Sequence, residues 1–293
     1  MIALKKLRKP KLFTKLNNLK KWQKRLLIFA ALALCFIGWV IWGNLSLQVT
    51  QYTITSDRIP EDFDNFRIVQ ISDLHNAQFG EDNSRLLEKI RAQKPDIIVL
   101  TGDFVDSYKP NVSISVSFAR QATQIAPVYY IPGNHELRID YNGLYSELTA
   151  VGVTVLLDES ISIQRNAAQI QLIGLVDISF RKKQTTQKAL LPLMPTDDTY
   201  TLVLSHQPGQ FDDYVACKAD LVLSGHVHGG QIRLPFIGGL YSPGQGLFPK
   251  YDAGLFVEGR TNMIISRGIG PSRFPFRINN RPEIVVVTLK NSQ

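Results

Sequence analysis

All five histidines of this 293-residue chain, His75, His135, His206, His226 and His228, stand just behind short apolar runs rich in β-branched and aromatic residues. The runs are RIVQIS (67–72), DIIVLTG (96–102), PVYYIPGN (127–134), YTLVLSH (200–206) and ADLVLSGH (219–226), and each reads as a buried strand. Helical patterns fill the gaps between the first three, from Asp82 to Gln93 and from Val112 to Ile125, which makes the chain an α/β protein. QIQLIG (169–174) and EIVVVTL (283–289) add strands, and no repeat or low-complexity block interrupts them. This density predicts sheets packed inside helices, as one domain over residues 44–293.

The polar residues at the strand ends are of one chemical kind. Asp73 and His75 follow the first run, Asp103 the second, Asn134 and His135 the third, His206 ends the fourth, and His226 and His228 close the fifth. In open α/β sheets sites form in the crevice at the carboxyl ends of the strands, so these residues are expected to converge. One histidine in such a place reads as a hydrogen-bonded structural residue; all five together read as ligands. Asp, Asn and His without cysteine suit borderline or hard divalent ions, namely Mn, Fe, Zn or Mg. Eight candidates exceed the needs of one ion. Two ions ~3.5–4 Å apart would use them, an arrangement that activates water and stabilises both the attacking and leaving oxygens in phosphoryl transfer.

SDLH (72–75), GDFVD (102–106), GNHE (133–136), SH (205–206) and GHVH (225–228) resemble, in order, spacing and strand context, the five motifs of the calcineurin-like metallophosphoesterases. The resemblance implies a four-layer αββα sandwich of two mixed sheets and a metal-dependent phosphoric ester hydrolase acting on a phosphodiester or pyrophosphate. By it, Asp73, His75, Asp103 and His228 would hold the first metal and Asp103, Asn134, His206 and His226 the second, with Asp103 bridging. His135 would contact the phosphate and protonate or stabilise the leaving group, and Asp106 would orient its ring. Glycines beside the ligands, such as Gly102, Gly133 and Gly225, would let the backbone turn tightly there. Purple acid phosphatases place a tyrosine where Asp106 stands, so a ferric-tyrosinate centre is not expected and Mn is the first choice of ion. Protein phosphatases of this likeness carry arginine where Ser107 stands, which weakens a phosphoprotein phosphatase reading. A non-catalytic envelope scaffold that keeps the fold is the other alternative; it should lack a ligand, and none is missing.

The charge distribution divides the chain. Residues 1–25 carry ten Lys and Arg, and the segment Leu26 to Trp42, LLIFAALALCFIGWVIW, is 17 residues without a charge. As a helix it spans ~26 Å, enough to cross a bilayer with Trp39 and Trp42 at the far interface. No small-x-small cleavage site follows Trp42, so an uncleaved anchor is expected rather than a signal peptide. The positive-inside rule then predicts a basic cytoplasmic tail (1–25), a single-pass anchor (26–43) in the cell membrane and an extracytoplasmic domain (44–293). Without the ten tail charges the net charge of +8 becomes about −2, which removes the electrostatic footprint of a nucleic-acid partner. Cys35 lies in the apolar run and Cys217 is alone in the domain, so no disulfide can form within it.

QIRLPFIGGLYSPGQGLFPKYDAGLF (231–256) is rich in Gly, Pro and aromatic residues and reads either as a packed loop or as a pocket wall for an apolar or lipid portion of a substrate. With SRGIGPSRFPFR (266–277) it is similar to the membrane-anchored bacterial branch of the family, which includes hydrolases of UDP-diacylglucosamine. Arg267, Arg273 and Arg277 are candidates for a second phosphate or for structural ion pairs. The partners expected are the membrane itself and a phosphorylated lipid or envelope polymer as substrate, kept near the enzyme by the tether.

Overall fold

The structure is a computed structural model that describes residues 19–181, 184–271 and 274–293. Most of the basic tail and Arg273 therefore lie outside the described residues. The chain divides into two compact units, Met1–Trp42 and Gly43–Gln293. The first is dominated by α1 (Lys21–Leu45), a 25-residue helix none of whose residues is buried. At roughly 1.5 Å per residue it is ~37 Å long, more than the ~30 Å hydrocarbon thickness of a bilayer. It extends beyond the uncharged run at both ends, at the amino end because Lys21, Lys24 and Arg25 are good helix formers whose heads can reach polar surroundings.

The second unit holds two six-stranded sheets. The first contains β1 (Gln48–Ser56), β2 (Arg67–Ile71), β3 (Ile97–Thr101), β4 (Val128–Ile131), β5 (Val153–Val155) and β16 (Glu283–Asn291) in the order β1-β16-β2-β3-β4-β5. The second contains β6 (Glu159–Arg165), β7 (Ala168–Gly174), β8 (Thr201–Leu204), β9 (Leu221–Ser224), β14 (Gly254–Glu258) and β15 (Thr261–Ile265) in the order β14-β15-β9-β8-β7-β6. Between β9 and β14 lie two short ladders, β10 (Arg233–Leu234) with β11 (Gly238–Gly239) and β12 (Tyr241–Ser242) with β13 (Gly246–Leu247). Both large sheets are mixed: β2, β3, β4 and β5 run parallel while β16 opposes β2, and β7, β8, β9 and β15 run parallel while β6 and β14 oppose their neighbours.

The period-two alternation of the strands sorts their side chains into three apolar layers. Val69, Ile71, Ile98 and Leu100 pack under α2 (Ser84–Ala92), α3 (Val112–Ala122) and α4 (Tyr141–Ala150). Ile68, Ile97, Val99 and Val285 turn the other way and meet Leu172, Leu202, Leu204 and Leu223 of the second sheet. Ile173, Val203, Val222 and Met263 cover the far side, against α5 (Thr186–Leu190) and α6 (Phe211–Ala216). The result is the four-layer αββα sandwich. Both faces of each central strand are buried, which is why the strands read as unbroken apolar runs.

One polar side chain crosses the middle layer. The Gln70 amide donates from Nε2 to Thr101 Oγ1 at 2.9 Å and to the Ser224 carbonyl at 2.8 Å, tying β2 to β9 just below the strand ends. Leu202→Ala in the middle layer is expected to destabilise the domain by ~2–5 kcal/mol through cavity formation. Leu191→Ala, at an exposed position, is expected to change stability by less than ~0.5 kcal/mol. Thermal unfolding of the detergent-solubilised chain measures both, and equal shifts would contradict the layer assignment.

Candidate metal centre and active site

The carboxyl ends of β2, β3, β4, β8 and β9 meet at one end of the sandwich, and the eight residues named from the sequence meet there with them. Asp73, His75 and His228 form one group of ligating atoms within 4.8 Å of one another, and Asp103, His206 and His226 form another. His75 Nε2 lies 3.2 Å from His228 Nε2 and 3.6 Å from Asp103 Oδ2, while His206 Nε2 lies 3.2 Å from Asp103 Oδ2. The Asp103 carboxylate thus faces both groups. Asn134 and His135 line the same space.

Close approach of the two sheets makes this convergence possible. A Cβ on Gly225 would lie 1.8 Å from Ser72 Oγ, so only glycine lets the end of β9 sit against the end of β2. The His226 amide then donates to both oxygens of Asp73 at 3.1 Å, and Gly270 N donates to the Asp73 carbonyl at 2.7 Å. Asp73, His75, Asp103, His226 and His228 all take positive φ between 44° and 70°. Non-glycine residues rarely do so, at ~1–3 kcal/mol each, and strain of this kind persists where the surrounding structure holds it.

Glu136 holds the turn that carries Asp103. Its buried carboxylate accepts the amides of Gly133 at 2.8 Å, Asp103 at 3.0 Å, Phe104 at 2.8 Å and Val105 at 3.3 Å. Burial and then the nearby Asp103 charge push this carboxyl up to about 7, and the amide donors act against the rise. Sequence reasoning quoted Glu136 within GNHE but gave it no role, and only its fixed place one residue after His135 hinted at one.

The protonation pattern suits cation binding. Burial pushes His75 and His226 down to about 4 and His228 well below its ordinary value, so all three imidazoles are neutral, the form that ligates. His206 is the exception: burial would lower it, but the charge and hydrogen bond of Asp103, with Asp73 behind, raise it well above its usual value. Its Nδ1 donates to the Thr101 carbonyl at 2.7 Å, which leaves Nε2 as the ligating atom once a cation replaces the proton there. Among the described residues, Asn134 Oδ1 is buried without a hydrogen-bond partner, and His206 Nε2 faces only the Asp103 carboxylate, at 3.2 Å. Buried polar atoms are rarely left so, and here they are what divalent ions would satisfy. The donor set therefore fits two such ions.

Asp106 Oδ1 stands 3.7 Å from His135 Nδ1, an ion-pair distance, and also accepts the Tyr108 amide at 2.9 Å. Ser107 meets the same ring atom more closely: its backbone N–H donates to Nδ1 at 3.1 Å and its Oγ lies at the same distance. An acceptor at Nδ1 places the proton of the neutral ring on Nε2. For the arginines the structure favours ion pairing over a second phosphate. Arg267 pairs with Glu283 at 2.7 Å, and buried Arg277 donates to the Arg267 carbonyl at 2.7 Å and toward His228 Nδ1 at 3.3 Å. Both are structural, which leaves neither free for a second phosphate.

A cavity of about 600 Å³ opens beside the two groups, walled by Asp103, Asn134, His135, His226 and His228 on one side and by Ile232, Leu240, Tyr241, Pro243 and Phe274 on the other. Tyr108 and Arg138 stand at its margin. The segment after the last histidine is therefore a pocket wall.

A calcineurin-like phosphoesterase family model matches residues 66–230, the stretch that carries every strand-end residue described above. The chain belongs to this family. It is 32% identical over 254 residues to the metallophosphoesterase YkuE of Bacillus subtilis, a match covering 84% of this chain and 86% of that protein. It is also 32% identical to the phosphodiesterase YaeI of Escherichia coli, over 76% of this chain and 82% of the relative. A transmembrane protein with a metallophosphoesterase domain from Danio rerio is 28% identical, with 84% of this chain matched to 58% of that one. Members of the family normally bind two divalent metals, and the chain is a metal-dependent phosphoester hydrolase.

Glu136→Ala would leave four buried amides without an acceptor. At ~1–3 kcal/mol per orphaned donor it is expected to cost at least ~3 kcal/mol of stability and to lower bound metal, read by thermal unfolding and elemental analysis. Unchanged stability would show that these amides find other partners.

Proposed function

We propose that the protein is a membrane-anchored phosphohydrolase that cleaves a phosphodiester or pyrophosphate bond in a lipid-linked or cell-envelope substrate. The observation that carries this reading is the pairing of two ligand groups, sharing Asp103, with a cavity whose opposite wall is apolar. In this reading Asp73, His75, Asp103 and His228 hold one ion and Asp103, Asn134, His206 and His226 the other, with Mn the first choice. Bound there, the ions supply activation of water and neutralisation of charge at phosphorus. The chain's own residues do the rest. His135, in its protonated form with Nδ1–H facing Ser107 Oγ and the Asp106 carboxylate, presents Nε2–H to the departing oxygen and donates that proton, returning to the neutral ring. Ile232, Leu240 and Phe274 exclude water from the remainder of the substrate. The apolar helix α1 and the relative named as a transmembrane protein support anchoring, and the basic tail supports an extracytoplasmic domain in the cell membrane.

The test is hydrolysis of bis-p-nitrophenyl phosphate by the detergent-solubilised chain, stripped with a chelator and resupplied with Mn. Activity is expected to return in the parent and not in Asp103→Asn, which should also bind less metal; an active Asp103→Asn protein would remove the shared-carboxylate assignment. His135→Ala is expected to keep its metal and lose ~10²–10⁴-fold in rate, the usual worth of a positioned acid. Asp106→Asn should lose far less than His135→Ala. Equal losses would make Asp106, rather than Ser107, the decisive partner of that ring.

A further inference from the structure

The segment between the last histidine and β14 walls the cavity with one set of side chains and turns another outward. Residues 234–248, LPFIGGLYSPGQGLF, contain no charge. Phe236 is fully exposed at the tip of the β10–β11 hairpin, and Ile237, Leu247 and Phe248 are each more than half exposed. Phe274 and Phe276, also exposed, contact each other with ring centroids 5.4 Å apart. The two stretches are held together: Gln231 Nε2 donates to the Phe274 carbonyl at 2.9 Å and Arg233 N donates to the Ile278 carbonyl at 3.0 Å, while Phe248 N folds the first back on itself by donating to the Leu240 carbonyl at 2.9 Å. Contiguous exposed aromatic and aliphatic surface of this kind marks an interaction site.

The chain's link to α1 bears on what could cover it. Asn44, in the last turn of α1 and two residues after Trp42, exchanges two hydrogen bonds with the backbone of Arg277: its Nδ2 donates to the carbonyl at 2.8 Å, and its Oδ1 accepts the amide at 2.7 Å. Arg281 adds bonds to the Ser46 carbonyl at 3.0 Å and the Leu47 carbonyl at 3.2 Å. If α1 spans the bilayer, Asn44 sits at its surface, and the aromatic stretch ending one residue before Arg277 sits there with it. We propose that Phe236, Ile237, Leu247, Phe248, Phe274 and Phe276 form a surface that enters the headgroup and outer acyl layer of the bilayer, so that the cavity opens onto lipid. An uncharged aromatic tip suits that boundary, where rings and aliphatic side chains leave water without stranding a charge. This deepens the reading above and rests on its membrane anchor.

The test uses the full chain, in a Cys35→Ser, Cys217→Ala background, in phosphatidylcholine vesicles. A nitrobenzoxadiazole label is placed on Phe236→Cys or, as a control, on exposed Glu88→Cys. The label at 236 is expected to shift to the blue and to be quenched by nitroxide-bearing lipid, and the label at 88 to do neither. A 236 label that resembles the 88 label overturns the proposal. So does a blue shift that nitroxide lipid leaves unquenched and that disappears on dilution of the protein in the vesicles, because a second copy then covers the face. Phe236→Asp with Ile237→Asp should leave bis-p-nitrophenyl phosphate hydrolysis unchanged and slow cleavage of a vesicle-borne lipid pyrophosphate about tenfold. A quenched label in a parent that cleaves no lipid substrate keeps the docking surface and removes the lipid reading; a cleaved lipid with a water-exposed label does the reverse.

Discussion

The centre depends on two sheets coming together at Ser72 and Gly225 with no room for a side chain between them. Everything at the strand ends follows from that contact. It brings the His226 amide within hydrogen-bond reach of the Asp73 carboxylate, so a ligand from one sheet is oriented by the backbone of the other. Gln70 repeats the crossing one layer deeper, and its bond to the Ser224 carbonyl fixes the depth at which β9 ends relative to β2. Without this abutment the histidines of β9 would lie on a separate surface from those of β2, and neither set would suffice for two ions.

The energetic pattern agrees with a site held against its local preferences. Five ligand-type residues occupy left-handed backbone, two carboxylates and the neutral imidazoles of His75 and His228 are buried, and Asn134 Oδ1 lacks a partner. Each feature costs free energy in a metal-free protein. Divalent cations offset the last two, which makes the ions part of the folded structure as well as of the chemistry. Glu136, through the amides it accepts, keeps the Asp103 turn in place.

Much of this was legible in the sequence because parallel strands deliver their carboxyl ends to one edge, and every histidine stood at such an end. The layers were legible for the same reason: runs such as IIVLT and TLVL are apolar on both faces. What escaped depends on contacts that no local pattern encodes. Glu136 acts on amides about thirty residues away, and the turn after β3 brings the Ser107 amide to His135 alongside Asp106. Arg267 is committed by Glu283 on the last strand, which nothing in SRGIGPSRFPFR reveals. The apolar run marked α1, but at the amino end the helix runs on through the helix-forming Lys21, Lys24 and Arg25.

The central claim is that these strand ends hold two metal ions with Asp103 between them, and counting metal tests it most directly. The full chain, stripped, reloaded with Mn and freed of excess, is expected to retain two ions per chain by elemental analysis, with anomalous scattering on either side of Asp103 in crystals. One ion per chain, or two ions that do not flank Asp103, would contradict the account.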